Sequence, residues 1–141
     1  MKSSARNQLV GKVTALEEHG GMCMVTVTTD SGVQIYAHIS SFSKGRLKLA
    51  QGMAVAAMVK AAAVVVAADL APMMLSAENC LQGTVKQIKQ GAVNNVVTLD
   101  IGGHDLCATI TLYSSETLAL QPGKPAVAVF NANQVMLGVL V

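Results

Sequence analysis

The sequence predicts an all-β chain of two tandem small barrels, each with about five strands and one short helical turn. Three observations lead there. The stretch "SARNQLVGKV", Ser4 to Val13, returns 72 residues later as "SAENCLQGTV", Ser76 to Val85, with six of ten letters unchanged. Each half then carries an alternating apolar and polar pattern broken by turn residues, which is the signature of a hairpin. Each half ends in apolar strands introduced by a glycine, Gly52 or Gly123. Five short strands per half suit a small closed or partly open barrel.

The elements follow in order. The Ser4 and Ser76 stretches open the first strand of each repeat. In "MVTVTTDSGVQIYAHI", Val25 and Val27 precede an Asp30-Ser31-Gly32 turn, and Val33, Ile35, Ala37 and Ile39 alternate after it. In "VVTLDIGGHDLCATI", Gly102-Gly103 marks the turn and Leu106, Ala108 and Ile110 alternate. "SSFSKGRLKLAQG" and "TLYSSETLALQPG" read as short helical turns. The strands Ala54 to Lys60 and Ala62 to Ala67 are apolar at odd and even positions alike, so both faces are expected to be covered. Residues 1–68 form the first barrel, 69–75 a linker punctuated by Pro72, and 76–141 the second barrel.

"MAVAAMVKAAAVVVAA", Met53 to Ala68, approaches a membrane span in composition. Lys60 interrupts it, Asp69 and Pro72 close it, and the repeat-equivalent "PAVAVFNANQVMLGVLV" carries Asn131, Asn133 and Gln134 in its middle. Both segments read as two strands around a turn.

Composition narrows the function. Units of about 70 residues bury too little apolar surface to stand comfortably alone. The chain is 52% hydrophobic and 13% charged, lacks Trp, and has a mean hydropathy of +0.48. That excess is expected to be buried between subunits. A net charge of +2 without a run of Lys or Arg disfavours nucleic acid. Four aromatics, Tyr36, Phe42, Tyr113 and Phe130, are too few for a base-stacking or sugar-binding face. Cys23, Cys80 and Cys107 make no CxxC pair and suggest neither a disulfide framework nor a zinc site. Free thiols and an amino terminus without an apolar signal core point to the cytoplasm. His19, His38 and His104 are isolated, and no Ser-His-Asp order, paired carboxylates or phosphate loop appears, so no enzyme is expected.

The S-A-R-N stretch ahead of a Gly-x-Val strand, the hydroxyl at Ser40 and the later "VKAAAVVV" together resemble the molybdate-binding Mop domain of the molbindin or TOBE family. The resemblance covers nearly the whole chain in tandem, di-Mop form. It implies oligonucleotide/oligosaccharide-binding-like (OB-like) barrels, a homo-trimer forming a pseudo-sixfold ring, and oxyanion sites at interfaces between barrels, without enzymatic chemistry or metal-ion ligation by the protein. It also implies a buffering or storage role for molybdate, with tungstate as a near-equivalent. The family's anion-contacting positions fall on Ser4, Ala5, Arg6, Ser40, Lys60 and the backbone of Ala61. At Ala62 the family often carries Ser or Pro, so one hydroxyl donor is missing here. A sensing module that acts through a partner is the alternative, although no helix-turn-helix segment is seen in the sequence.

The chemistry can be argued from the residue types. A tetrahedral dianion has oxygens that only accept hydrogen bonds, so its pocket needs hydroxyls, backbone N–H groups, a guanidinium and an ammonium. Ser4, Arg6, Ser40 and Lys60 supply that set, with two positive charges for two negative ones. A pocket without acceptors also disfavours a protonated phosphate. As single residues these side chains could equally be solvated strand-end charges and turn caps.

In the second repeat Ser76, Ala77 and the hydroxyl at Thr111 are kept, while Arg6 becomes Glu78 and Lys60 becomes Asn131. A unit charge about 4 Å from an anion contributes ~4 kcal/mol at an effective dielectric near 20, before desolvation. Reversing its sign leaves Ser76, Ala77, Thr111 and Asn131 as weaker candidates. Two geometries are open: pockets drawn from one kind of repeat, or mixed pockets in which Arg6 faces Asn131 and Glu78 faces Lys60.

Overall fold

In the computed structural model, residues 3–69 and 74–140 are described. Strands β1 (Asn7–His19), β2 (Met22–Thr28) and β3 (Gln34–Ser40) lead into helix α1 (Ser41–Leu47), then β4 (Ala54–Val59), a 3₁₀ turn (Ala61–Ala63) and β5 (Val65–Ala67). The second repeat follows with β6 (Asn79–Lys89), β7 (Asn94–Ile101), β8 (His104–Thr111), helix α2 (Leu112–Thr117), β9 (Pro125–Phe130), a 3₁₀ turn (Ala132–Gln134) and β10 (Met136–Val139). The expected fold class is observed, as two five-stranded antiparallel sheets that do not fully close into barrels.

The sheets are composites of the two repeats. One runs β10-β4-β1-β2-β3 and the other β5-β9-β6-β7-β8. Each repeat therefore lends its last strand to the other: Met136 pairs with Met58, and Val65 with Val129. Residues 62–64, read from sequence as the start of a strand, mostly belong to the 3₁₀ turn that makes this crossing. The linker assigned to 69–75 lies in part outside the described residues.

Local chemistry sets the elements. The burial of β1 alternates from Asn7 to Val13 because period-2 side chains place one face in the core. Gly20 and Gly21, both at positive φ, turn β1 into β2. β1 shifts register between Val13 and Ala15, and β6 does so between Val85 and Gln87. At that bulge the first strand changes neighbours: the Val13 amide bonds to the Met53 carbonyl at 2.9 Å, and the Val85 amide to the Lys124 carbonyl at 2.8 Å. The repeated glycine just before it is a packing requirement. A Cβ on Gly11 would sit 2.5 Å from the Thr28 carbonyl oxygen, and one on Gly83 would overlap that of Asp100.

The core is one continuous cluster spanning both repeats, with Val25, Ile35 and Val55 beside Val97, Leu99 and Leu106. β4 is buried on both faces from Val55 to Val59 within this single chain. Two side chains lock the repeats together. Asn7 donates to the Cys107 carbonyl at 2.8 Å and accepts the Cys107 amide at 2.7 Å. Asn79 makes the matching pair with Tyr36, at 2.9 and 2.8 Å. Each side-chain amide acts as an extra ladder rung on the outer edge of β3 or β8, which satisfies backbone groups that an edge strand otherwise leaves unpaired.

Candidate functional site

The S-A-x-N motif ends at the buried Asn, and the residues before it lie at the mouth of an open cavity of about 650 Å³. Ser4, Ala5, Ser40 and Lys60 all line this cavity. They come from the segment before β1, the β3–α1 junction and the end of β4. The neighbours are brought together by register, since Asn7 pairs with Val59 and so sets the preceding motif beside Lys60. The other repeat closes the cavity with Asn133, Gln134 and the strand Met136–Leu137.

Arg6 and Ala61 adjoin these residues in sequence but do not line the cavity. Arg6 is exposed, and among the described residues it forms no ion pair. Lys60 precedes the 3₁₀ turn in an extended conformation and is likewise exposed and free of ion pairs among the described residues. Ala61 is buried, and its amide has no side-chain acceptor among the described residues.

Ser40 has a second occupation. Its Oγ accepts the Ser43 amide at 3.0 Å, which caps α1, and donates to Ser43 Oγ at 3.0 Å. Thr111 repeats both contacts with Ser114, at 3.1 and 2.8 Å. The retained hydroxyl is thus a cap in both repeats. Ser43 is left with its own proton to give, at the end of a two-hydroxyl relay.

Sequence reasoning missed Ser43, His38 and Arg46 in the cavity. Ser43 and Arg46 follow Ser40 at successive three-residue steps, the spacing that stacks side chains on one helix face. That spacing was the available signal. The lining holds the basic side chains of Lys60, Arg46 and His38 and no carboxylate.

The second repeat does not gather its equivalents. Ala77 and Asn131 line one cavity of about 300 Å³, and Thr111 lines another of about 490 Å³. Ser76 is exposed beside the first of these residues in sequence. Thr117 stands where the first repeat has Arg46, so neither of these cavities holds a cation. The hydrogen bond that Glu78 makes is within its own repeat: its Oε1 accepts the Ala132 amide at 2.8 Å. Within one chain the Asn7–Val59 register sets the Ser4–Arg6 segment beside the end of β4 at Lys60, and the Glu78 carboxylate lies against the turn that follows Asn131.

The TOBE domain model matches residues 3–66 and 75–137, one copy per repeat. The chain belongs to the TOBE domain family. The chain is similar over its length to a solved structure of the cytoplasmic molybdate-binding protein ModG with molybdate bound. That structure is 41% identical, superposes with a TM-score of 0.95, and is covered over 99% of this chain and 100% of its own. The molybdenum transport protein ModE of Herbaspirillum seropedicae is 39% identical over 140 residues, covering 99% of this chain and 52% of ModE. The molybdenum-pterin-binding protein MopA of Rhodobacter capsulatus is 36% identical over 138 residues, covering 97% and 52% respectively. The tandem TOBE chain therefore spans about half the length of these curated relatives. Among its described residues, the three cysteines are free, no cluster of His, Cys, Asp or Glu is placed to hold a metal ion, and no helix is long and apolar enough to cross a membrane.

Proposed function

We propose that this chain binds molybdate, with tungstate as a close substitute, and buffers or stores it in the cytoplasm without transforming it. The observation that carries this reading is the first-repeat cavity: hydroxyls of Ser4 and Ser43 and the cations Lys60 and Arg46 converge there, with no carboxylate in the lining. Such a lining suits a fully deprotonated tetrahedral dianion, because every ligand oxygen accepts and the ionic side chains only donate. Phosphate near neutral pH carries a proton that finds no anionic acceptor there. Arg6 and the Ala61 amide complete the set at the cavity edge, as the family resemblance implies. The likeness to molybdate-bound ModG, over the whole of both chains, supports the same ligand.

The site belongs at an interface in this reading. Phe42 and Tyr113 are 79% and 77% exposed, and Val65 and Met136 are 61% and 67% exposed. These are repeat-equivalent pairs, so each repeat offers the same apolar positions, as a homo-trimer arranged as a pseudo-sixfold ring requires. A second reading, a ligand-sensing module that acts through a partner, is favoured by the likeness to ModE, about twice as long.

Isothermal titration with molybdate, tungstate, sulfate and phosphate tests the proposal, with oligomer mass recorded in the same buffer. Saturable heat with molybdate and tungstate only, from a trimer, is expected. A folded oligomer that takes up none of the four would refute storage and leave the partner-dependent role.

A further inference from the structure

Glu78 replaces Arg6 at a position the repeats otherwise preserve, and its carboxylate has a definite destination. Oε1 accepts the Ala132 amide at 2.8 Å. Ala132 follows Asn131, the equivalent of Lys60, so this amide is the counterpart of the Ala61 amide proposed above as an oxyanion donor. The arrangement is held from both sides. Asn79, the next residue, is 1% exposed and clamped to the Tyr36 backbone by two hydrogen bonds, and Ala132 is fully buried. The Ala132 amide, then Glu78's own amide, hold the Glu78 carboxyl below the usual carboxylate range against a smaller opposing effect of burial, with a still smaller contribution from the nearby His38 imidazole. With Asn131 in place of Lys60, no ammonium competes for that carboxylate.

We propose that Glu78 is a built-in anion: its carboxylate holds the amide that the second repeat would otherwise offer to an oxyanion, so that the chain takes up oxyanion through its first-repeat motif alone. This rests on the oxyanion-binding reading above. A carboxylate and a tetrahedral oxyanion present the same chemistry to an N–H group, an acceptor oxygen with negative charge. The intramolecular carboxylate is always present at high effective concentration. A dianion that displaced it would face a like charge, with no Lys or Arg lining the second-repeat cavity at Ala77 and Asn131 to offset it.

Equilibrium dialysis of the full chain against sodium molybdate counts sites per chain. At molybdate held near the wild-type dissociation constant, Arg6→Ala should lower the bound molybdate about tenfold or more, and at saturation the double variant Glu78→Arg with Asn131→Lys should raise the count about twofold. Half of the sites surviving Arg6→Ala, or an unchanged count in the folded double variant, would overturn the proposal. The Ala132 amide proton, followed by NMR, reads the contact without ligand and in a milder variant. Glu78→Ala should move it upfield while leaving the Ala61 amide in place. An Ala132 amide indifferent to Glu78→Ala overturns the proposal whatever molybdate does. Absence of molybdate binding by the wild type, with the Ala132 shift present, would refute the oxyanion reading and leave Glu78 as the cap of its own turn.

Discussion

Replacing Asn79 with Ala removes a clamp between the repeats while leaving every apolar contact of the core in place. The Asn79 side chain donates to the Tyr36 carbonyl at 2.9 Å and accepts the Tyr36 amide at 2.8 Å. Two intramolecular hydrogen bonds contribute about 1 kcal/mol each net of their hydration in the unfolded chain, and stranding a buried partner costs about 1 kcal/mol or more in addition. Tyr36 is half-buried, so water recovers part of that second loss. The sum is about 3 kcal/mol, which lowers the melting temperature of a chain this size by about 10 °C. Urea unfolding followed by far-ultraviolet circular dichroism, at fixed protein concentration, measures it. Hydrogen exchange at the Tyr36 amide gives the local readout and should accelerate. Asn79→Asp keeps the acceptor but sets a carboxylate against the Tyr36 carbonyl, so it should destabilise at least as much. A loss below about 1 kcal/mol with unchanged exchange at Tyr36 would refute the clamp, and the persistence of Asn in both motifs would need another cause.

Gly11→Ala and Gly83→Ala should each destabilise by about 2 kcal/mol or more in urea unfolding, because the new methyl meets a backbone carbonyl that cannot rotate away. Thr111→Ala should lose about 1 kcal/mol as a helix cap, while Ser40→Ala should lose a similar amount and also weaken molybdate binding in titration. Arg6→Ala should weaken binding by tenfold to a hundredfold, the scale of one hydrogen bond to a charged group, roughly 1.5–3 kcal/mol. Glu78 has a lowered folded-state pKa, so its stabilising effect is complete above the unfolded value and is lost as pH falls through the folded one. The stability gap between wild type and Glu78→Gln should therefore be constant well above the unfolded carboxyl value and shrink as pH falls below it.

Much of this was legible in the sequence because it is written locally. Alternation in β2, β3, β7 and β8, the glycine turns and the hydroxyls that cap α1 and α2 each act within a few residues of themselves. The exchange of β5 and β10 was not legible. Those strands have three and four residues, and their turns look the same whether the chain returns to its own sheet or crosses to the other. The S-A-x-N motif was read through its ligand-like residues, yet Asn7 and Asn79 serve the joint between repeats, with partners 100 and 43 residues away. The same distance problem hid the fate of Glu78. A charge reversal was visible, but its acceptor role depends on an amide 54 residues further on.

The position of the bound anion separates first-repeat from second-repeat binding most directly. Anomalous diffraction at the molybdenum edge, from crystals grown with molybdate, locates it without reference to any assumed ligand set. The account predicts a peak within hydrogen-bonding reach of the Ser4–Arg6 segment and the Lys60–Ala61 backbone, and none beside Glu78 and Ala132. A molybdenum peak on the Ala132 amide, or an empty first-repeat motif in crystals that hold the anion elsewhere, would contradict it.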